Sequence, residues 1–326
     1  MKDVGLVGLP YSGKSTLFTA LTRTGSTGGR ANQAVVEVPD ARVETLAELE
    51  RSRKIVHAQV RFVDVPGGTS AQGLAALREV DALCLVLRAF GPDADPGREL
   101  AELETELLLA DLAVVESALE GARRRAKGGR SAVPELGALE RAHGVLSEER
   151  RLADAGLDDE ELRHLRSVAA LTLKPWIPVA NLEEGTAIPA GLPEDTVPVF
   201  ASIEAETAGM PQDEARALLA EFGVERPGLD RVIEASYRAL DLITFLTTGE
   251  DETRAWEVRR GATAPEAAGV IHTDLQRGFI RAEVVSYDDL VAAGTWDKTK
   301  AAGHLRVEGK DYVVREGDVL HVRFAV

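Results

Sequence analysis

The stretch from Gly8 to Ser15, GLPYSGKS, has the residue types and spacing needed to hold a chain of phosphate groups. It matches the pattern G-x-x-x-x-G-K-[ST] at every fixed position, with a short apolar strand predicted before it and a helix after it. In this pattern the backbone N–H groups of residues 11–16 surround the α- and β-phosphates at the positive end of the helix dipole. Lys14 would reach the β- and γ-phosphates, and the Ser15 hydroxyl would ligate Mg²⁺. The alternative, an ordinary glycine turn, requires the four fixed positions and both flanks to agree by chance.

A second motif supplies a further candidate residue for binding the Mg²⁺ ion. The residues Val60–Asp64 are predicted to form a strand that ends in an aspartate, and Asp64-Val-Pro-Gly67 fits the pattern D-x-x-G. Asp64 would hold Mg²⁺ through water, and the Gly67 N–H would sense the γ-phosphate. By itself this pattern is weak and often marks only a turn, but its position after the phosphate-binding stretch favours the functional interpretation.

Two further strand ends are candidates for reading the base. A predicted strand at residues 176–180 runs into Asn181-Leu-Glu-Glu184, and a shorter one at residues 197–200 runs into Ala201-Ser202. A guanine-binding protein of this class usually has N-K-x-D at the first place, where the aspartate accepts hydrogen bonds from guanine. Here Leu182 replaces the lysine and Glu184 replaces the aspartate, which weakens the case for guanine. A simple polar turn remains an alternative on spacing alone.

The elements that must position these residues are those of a doubly wound α/β domain. The continuous apolar run at residues 82–87 is typical of a parallel strand that is covered on both faces. An insertion follows, in which leucines and valines between residues 100 and 119 recur at three- and four-residue spacing. A glycine pair at residues 128–129 breaks this pattern, and a second helical run is predicted from about Pro134 to Leu152. The insertion therefore reads as an antiparallel helical hairpin with its tip near residues 122–131.

The chain resembles the YchF/Obg-like ATPase family of P-loop proteins. The similar stretches include GLPYSGKSTLFTALT, VPDARVETLAEL, ELLLADLAVVES and LTLKPWIPVANLEE, and two C-terminal blocks that begin at ITFLTTGEDETRAW and GKDYVVREGD. The resemblance covers nearly the whole chain. It implies a nucleotide-binding domain at residues 1–92 and 171–240, a helical hairpin at 93–170 and a ubiquitin-like β-grasp module, the TGS domain, at 241–326. In this family N-x-x-E goes with ATP being accepted as well as, or in preference to, GTP.

The resemblance also implies base contacts and an association with ribosomes, while the motifs predict the phosphate and metal contacts and the bulk properties predict a cytoplasmic protein. Asn181 and Glu184 would face the base, with Leu182 packed on its ring. Nucleotide contacts are expected from Tyr11, Ser12, Gly13, Lys14, Ser15, Thr16, Asn181, Leu182, Glu184 and Ser202. Metal contacts are expected from Ser15 and Asp64, and catalytic roles at the γ-phosphate from Lys14 and Gly67.

Three departures from the family pattern concern hydrolysis. The segment after the first helix is shorter than usual and lacks the switch threonine that completes Mg²⁺ coordination; Thr24, Ser26 or Thr27 would have to substitute. Gly68 stands where related enzymes place a water-positioning glutamine or an apolar residue, and Leu85 stands where the family commonly has a histidine. Gln72 is a weak stand-in. These departures predict nucleotide binding with slow intrinsic hydrolysis.

Bulk properties limit the remaining function classes. A net charge of −16 argues against a surface that binds polyanions everywhere, and no apolar run is long enough to cross a bilayer. The one dense basic cluster lies at the hairpin tip; it indicates either an RNA or ribosome contact or cations that suit a helix C-terminus. Its members are Arg123, Arg124, Arg125, Lys127 and Arg130. Besides a slow switch ATPase, two alternatives stay open: a non-catalytic scaffold that nucleotide stabilises, and a GTP-specific switch.

Overall fold

The computed structural model describes residues 1–22, 32–65, 67–126, 133–207, 209–224 and 226–325. The chain forms two compact units. One consists of Lys2–Ala34 and Arg61–Ser236, and the other of Met1, Val35–Val60 and Tyr237–Val326. We call them the nucleotide unit and the C-terminal unit. The three-part division expected from the sequence stays a prediction.

The described elements of both units, in chain order, are twelve strands and thirteen α-helices. The strands are β1 (Lys2–Val7), β2 (Asn32–Glu37), β3 (Ile55–Val56), β4 (Gln59–Asp64), β5 (Ala82–Ala89), β6 (Trp176–Leu182), β7 (Val197–Val199), β8 (Leu242–Thr247), β9 (Thr253–Arg259), β10 (Phe279–Ser286), β11 (Arg306–Glu308) and β12 (Asp318–Phe324). The helices are α1 (Lys14–Thr22), α2 (Ala41–Glu50), α3 (Ala71–Leu77), α4 (Pro96–Ala126), α5 (Val133–Ser147), α6 (Asp159–Leu165), α7 (Ala201–Glu206), α8 (Gln212–Glu221), α9 (Gly228–Ala239), α10 (Ala264–Ile271), α11 (Thr273–Arg277), α12 (Tyr287–Ala293) and α13 (Trp296–Ala301).

The first sheet has the strand order β2-β4-β1-β5-β6-β7. Strand β5 pairs in parallel with β1 on one side and β6 on the other, and β6 pairs in parallel with β7. The carboxyl ends of parallel strands meet at one edge of a sheet, which is where ligands bind in open α/β folds. The phosphate-binding stretch after β1 and the two base-loop candidates after β6 and β7 therefore share an edge.

Burial explains why β5 reads as an unbroken apolar run. Its first six residues are buried, as expected for a central strand covered by helices on both faces. Cys84 lies in this run with no exposed surface, and burial raises the pKa of its thiol to about 12. A thiol with that pKa stays protonated near neutral pH, so Cys84 is a core residue with no thiolate chemistry.

The insertion is an antiparallel helical hairpin made of α4 and α5. Val115 and Leu119 of α4 pack with Leu139 and Leu146 of α5 in one buried cluster. Two ion pairs confirm the antiparallel order, because Arg123 contacts Glu140 while Arg125 contacts Glu135. Helix α5 ends at Ser147, five residues earlier than the sequence predicts, since Glu149 takes a left-handed backbone conformation (φ 57°) and Leu152–Asp154 forms a separate 3₁₀ turn.

The C-terminal unit is built on a mixed sheet with the order β11-β10-β12-β8-β9-β3. Strand β10 is antiparallel to β11 and β12, β12 is parallel to β8, and β8 is antiparallel to β9. Helix α10 packs its alanines against Phe245, Val284 and Leu320 of this sheet. A helix lying across a mixed sheet is the arrangement expected of a β-grasp module. Within the described residues, none of the helices combines the length and apolar character that a membrane span requires.

Candidate functional site

The loop between β1 and α1 has the backbone shape that the phosphate-binding pattern requires. Gly13 has a φ of 84° and Tyr11 a φ of 68°, so both lie in the left-handed region that glycine adopts readily and tyrosine does not. A Cβ on Gly13 would overlap the Asn181 side-chain amide, so only glycine fits beneath that residue. The Ser12 hydroxyl is buried and has no hydrogen-bond partner among the described residues, whereas Tyr11 is 90% exposed. The loop is therefore closely packed against Asn181 at Gly13, whereas it is exposed to solvent at Tyr11.

The predicted metal and phosphate residues come together at the mouth of this loop. The Lys14 Nζ forms an ion pair with the Asp64 carboxylate and lies 3.4 Å from the Val65 carbonyl oxygen. The Ser15 hydroxyl donates to the other Asp64 oxygen at 3.4 Å. The Asp64 side chain is almost fully buried, so its charge needs a partner, and Lys14 provides it.

These three residues fit a magnesium–triphosphate ligand by the chemistry of their donors. A hydroxyl and a carboxylate are the hard oxygen ligands that Mg²⁺ prefers, and this ion is usually held by one or two protein groups together with water and substrate phosphates. Within the ranges that the structure describes, no group of three or more His, Cys, Asp or Glu side chains is arranged to hold a metal. The pair Ser15 and Asp64 therefore fits a shared site with a phosphate ligand better than a closed protein cage.

The segment after Asp64 is a glycine-rich turn that lies against the phosphate loop. Gly67 has a φ of 88° and Gly68 a φ of 52°, and a Cβ on Gly68 would lie 3.3 Å from the Gly8 carbonyl oxygen. Ser70 closes the turn by accepting a hydrogen bond from the Gly73 N–H at 3.2 Å, which caps α3. Pro66 lies outside the described residues. The turn places Gly67 and Gly68 at the phosphate end of the site.

A cavity of about 410 Å³ opens beside the phosphate loop. Six of the predicted nucleotide residues are among those that line it: Gly13, Thr16, Asn181, Leu182, Glu184 and Ser202. Its other lining residues are Phe90, Gly91 and Glu183. Leu182 lines the cavity although it is only 4% exposed, and Phe90 is half-buried, so Phe90 provides most of the apolar surface beside the carboxylate of Glu184. An aromatic ring and an aliphatic side chain next to a few polar groups suit a planar heterocycle.

Asn181 braces two loops with its side-chain amide. Its Nδ2 donates to the Ser12 carbonyl oxygen at 3.1 Å, and its Oδ1 accepts from the Ala201 N–H at 3.2 Å. One buried side chain therefore ties the phosphate loop to the segment that follows β7. These two hydrogen bonds fix the position of the phosphate loop relative to the segment after β7, and both segments contribute residues to the cavity lining.

Sequence reasoning missed three of the lining residues, Phe90, Gly91 and Glu183, and Phe90 is the largest of them. It follows β5, and no motif marks it. Its place in the chain could have indicated it. Because β5 is parallel to β1, the residue that follows β5 lies at the same sheet edge as the phosphate loop.

The positions considered for orienting the attacking water lie in the core, at the surface or outside the described residues. Leu85 is buried in the core of the nucleotide unit, packed with Val7 and Leu83. Gln72 lies at the start of α3 and is exposed. The threonine and serine candidates Thr24, Ser26 and Thr27 lie outside the described residues.

The hairpin tip carries less free positive charge than its sequence indicates. Arg125 forms an ion pair with Glu135 at 2.8 Å and Arg123 with Glu140 at 3.4 Å. Arg124 is exposed. Lys127 and Arg130 lie outside the described residues. Two of the arginines therefore face carboxylates of the neighbouring helix.

Comparison with known proteins adds family relationships to this geometry. The family model described as 50S ribosome-binding GTPase matches residues 3–116, and the one described as YchF-GTPase_C, protein of unknown function (DUF933), matches residues 242–325. The chain is 41% identical to the "Ribosome-binding ATPase YchF" of Haemophilus influenzae and 38% identical to that of Bacillus subtilis, with 99% of each chain covered in both cases.

A solved structure agrees with the sequence relatives. The Schizosaccharomyces pombe YchF GTPase superimposes with a TM-score of 0.87 at 30% identity, covering 99% of this chain and 97% of that one. Full-length identity above 30% together with a matching fold establishes common descent, and it confirms the resemblance and the fold class expected from the motifs. The chain belongs to the YchF family of P-loop nucleotide-binding proteins.

Proposed function

We propose that this protein binds a purine nucleoside triphosphate with Mg²⁺, prefers ATP to GTP, hydrolyses the β–γ phosphoanhydride slowly, and uses the bound state to control association with the ribosome. The observation that carries the proposal is the meeting of Lys14, Ser15 and Asp64 at the mouth of the phosphate loop, beside a cavity lined by Asn181 and Leu182.

The phosphate side follows from the charges on these residues. The Lys14 ammonium is paired with the Asp64 carboxylate. A triphosphate offers Lys14 more negative charge, so we expect Lys14 to move to the β- and γ-phosphates while Ser15 and Asp64 turn to the metal side. When bound, Mg²⁺ would neutralise charge on the β- and γ-phosphate oxygens. Backbone N–H groups of residues 11–16 would donate to the phosphates.

The preference for ATP rests on the base side of the cavity. Leu182 is apolar where a guanine-specific loop has a lysine, and Glu184 is one methylene longer than the usual aspartate. The relatives carry the printed name ATPase, while the solved relative is titled a GTPase. We infer that adenine is accepted at the apolar surface of Leu182 and Phe90.

Slow hydrolysis rests on what surrounds the γ-phosphate end. Gly68 has no side chain to orient a water molecule, and Leu85 is buried in the core. Phosphoryl transfer depends on stabilisation of charge and on a positioned nucleophile. Among the described residues, Lys14 would stabilise charge, whereas Gly68 and Leu85 would not position a water molecule. We expect turnover to stay low unless a partner completes the site.

Association with the ribosome is taken from the family, whose curated members are named for it. We propose that the hairpin tip contributes to it through Arg123, Arg124 and Arg125, together with Lys127 and Arg130. A ribosomal partner would place the protein in the cytoplasm.

The test is a calorimetric titration with Mg²⁺ and non-hydrolysable analogues of ATP and GTP, with Lys14→Ala as the control. We expect tight binding of the ATP analogue, weaker binding of the GTP analogue, and loss of both in the control. Preference for the GTP analogue would overturn the base assignment. Absence of binding by the wild-type protein would favour a scaffold. A phosphate-release assay on the same samples then measures turnover.

A further inference from the structure

One buried carboxylate holds the segment that carries Ser202, and no motif accounts for it. Glu204 lies in α7 and is 5% exposed. It accepts a hydrogen bond from the Phe200 N–H at 3.1 Å through Oε1, and from the Leu229 N–H at 3.2 Å through Oε2. The side chain therefore joins the start of α7 to the start of α9.

This contact continues the brace made by Asn181. Asn181 holds the Ala201 N–H, and Glu204 holds the N–H of the preceding residue, Phe200. Two consecutive peptide groups are thus fixed by side chains from different elements, and Ser202 at the cavity follows directly. These two hydrogen bonds restrict the movement of the peptide groups, which favours a cavity wall that is already formed before a ligand binds.

Gly228 shows that the contact is built closely. A Cβ at this position would lie 2.6 Å from the Glu204 Oε1 and 2.8 Å from a methyl carbon of Val199. Helix α9 can therefore begin against the carboxylate only because residue 228 has no side chain. Burial raises the pKa of Glu204, so placing a carboxylate here costs energy that the backbone N–H groups offset.

We propose that Glu204 is a positioning residue for purine recognition, which fixes the segment from Phe200 to Ser202 against α9 so that the base side of the cavity is preformed. This inference rests on the proposed function, in which that cavity receives the base. We expect its effect to be larger on the base than on the phosphates, because Ser202 lines the cavity, whereas Lys14, Ser15 and Asp64 contact one another without Glu204.

The experiment uses Glu204→Gln and Gly228→Ala. Glutamine keeps the shape but replaces one acceptor oxygen by an N–H₂ group that faces a backbone N–H, and alanine pushes on the same carboxylate from α9. The control is Leu139→Ala, which removes buried apolar surface in the hairpin cluster and lies outside the cavity lining. Amide hydrogen exchange in nucleotide-free protein should show faster exchange at Phe200 and Leu229 in the first two variants only.

The decisive measurement compares two ligands by calorimetry with Mg²⁺: a non-hydrolysable ATP analogue and inorganic tripolyphosphate, which has no base. We expect Glu204→Gln and Gly228→Ala to weaken the ATP analogue by about tenfold, about 1.4 kcal/mol, and tripolyphosphate by less than about twofold. Leu139→Ala should change neither. Equal losses of both ligands, or an unchanged ATP analogue, would overturn the inference. If the wild-type protein fails to bind the analogue, the proposed function itself fails.

Discussion

At Lys14 two opposite charges are paired, because the ammonium group lies against the Asp64 carboxylate. The Asp64 side chain is 5% exposed and that of Lys14 is 15% exposed, so the pair is largely withdrawn from water. Removing one member of such a pair leaves an uncompensated buried charge, which is strongly destabilising.

We therefore expect Lys14→Met to lower the free energy of unfolding of the nucleotide-free protein by about 3 kcal/mol. Adding Asp64→Asn to Lys14→Met should recover part of that loss, because the remaining group is then neutral. Urea unfolding of wild type, both single variants and the double variant measures the coupling. Additive losses in the double variant would show that the two side chains do not depend on each other.

Tyr312 in the C-terminal unit gives a pH-dependent prediction. Burial, together with the hydrogen bond from its hydroxyl to Asp318 at 2.7 Å, raises its pKa to about 12. An unfolded tyrosine ionises near pH 10, so between about pH 10 and 12 the unfolded chain loses this proton first. The stabilisation from Tyr312 is therefore complete below about pH 10 and is lost as the pH rises towards 12.

The comparison is with Tyr312→Phe, which has no hydroxyl to ionise. Wild type should be the more stable protein at pH 9, and the difference in unfolding free energy should shrink steadily up to about pH 11.5. Urea unfolding at fixed pH values measures it. A difference that stays constant over this range would mean that the Tyr312 hydroxyl is not held in its protonated form.

Sequence reasoning anticipated which residues lie close together where phosphate and metal chemistry fixes their spacing, and their role in binding stays a prediction. Lys14, Ser15 and Asp64 belong to patterns whose positions follow from phosphate and metal geometry, and the structure brings the three together. Phe90 and Glu204 belong to no pattern. Their importance arises from which strands are neighbours, and a local stretch of sequence does not contain that information.

Among the elements, the hairpin helix α4 is tied to the rest of the nucleotide unit by a buried ionic network. Asp111 has no exposed surface and accepts from Arg78 at 2.7 Å, from the Leu171 and Thr172 N–H groups at 3.0 and 2.7 Å, and from the Thr172 hydroxyl at 2.8 Å. Arg78 also donates to the carbonyl oxygens of Ala110 and Ala169. The network joins the end of α3, the middle of α4 and the turn that precedes β6.

Because every acceptor position of Asp111 is used, breaking this network should cost much more than breaking a surface pair. We expect Arg78→Ala to lower the free energy of unfolding by about 3–5 kcal/mol, since it strands a buried carboxylate. The matched control is Arg150→Ala. Arg150 forms an ion pair of 3.4 Å with Glu148, and both side chains are exposed, so we expect this substitution to lower the free energy of unfolding by less than about 1 kcal/mol. Similar losses for both variants, measured by urea unfolding, would contradict this view of Asp111.

The hairpin also shows why element-level prediction stops where it does. The leucine and valine spacing predicts α4 and α5 and their antiparallel pairing, and the structure confirms both. The same spacing cannot reveal Asp111, an acidic residue within a helix that has many exposed acidic residues. Its burial depends on Arg78, which lies 33 positions away in the chain.

For the whole molecule, a net charge of −16 makes any contact with RNA depend on local charge. Arg123, Arg124 and Arg125 lie at the end of α4, and two of them are paired with glutamates that a phosphate would have to displace. If the tip binds ribosomal RNA, changing all three to glutamate should weaken ribosome binding and reduce its salt dependence. We expect the slope of log K against log salt concentration to fall by about 2 to 3.

The control changes Arg150, Arg163 and Arg166 to glutamate, which alters the net charge by the same amount at exposed positions away from the tip. Sedimentation with ribosomes at several salt concentrations measures both variants. Equal weakening by the two triple variants would assign the effect to net charge, and unchanged binding by the tip variant would exclude the tip as a contact.

At this scale the motifs predicted the family and the fold class, and the comparisons confirm both. The grouping of residues 35–60 with the C-terminal unit was not predictable. It depends on the pairing of the two-residue strand β3 with β9, nearly 200 positions later in the chain. Such short edge strands have too few residues to show a periodic pattern.

The burial of Cys84 has a practical consequence for all these experiments. It is the only cysteine in the chain, and its protonated thiol in the centre of the first sheet reacts poorly with alkylating reagents. A cysteine introduced at an exposed position such as Arg124 would therefore be labelled selectively in the folded protein. A fluorophore or spin label attached there would report directly on what the hairpin tip touches, without first removing a native thiol.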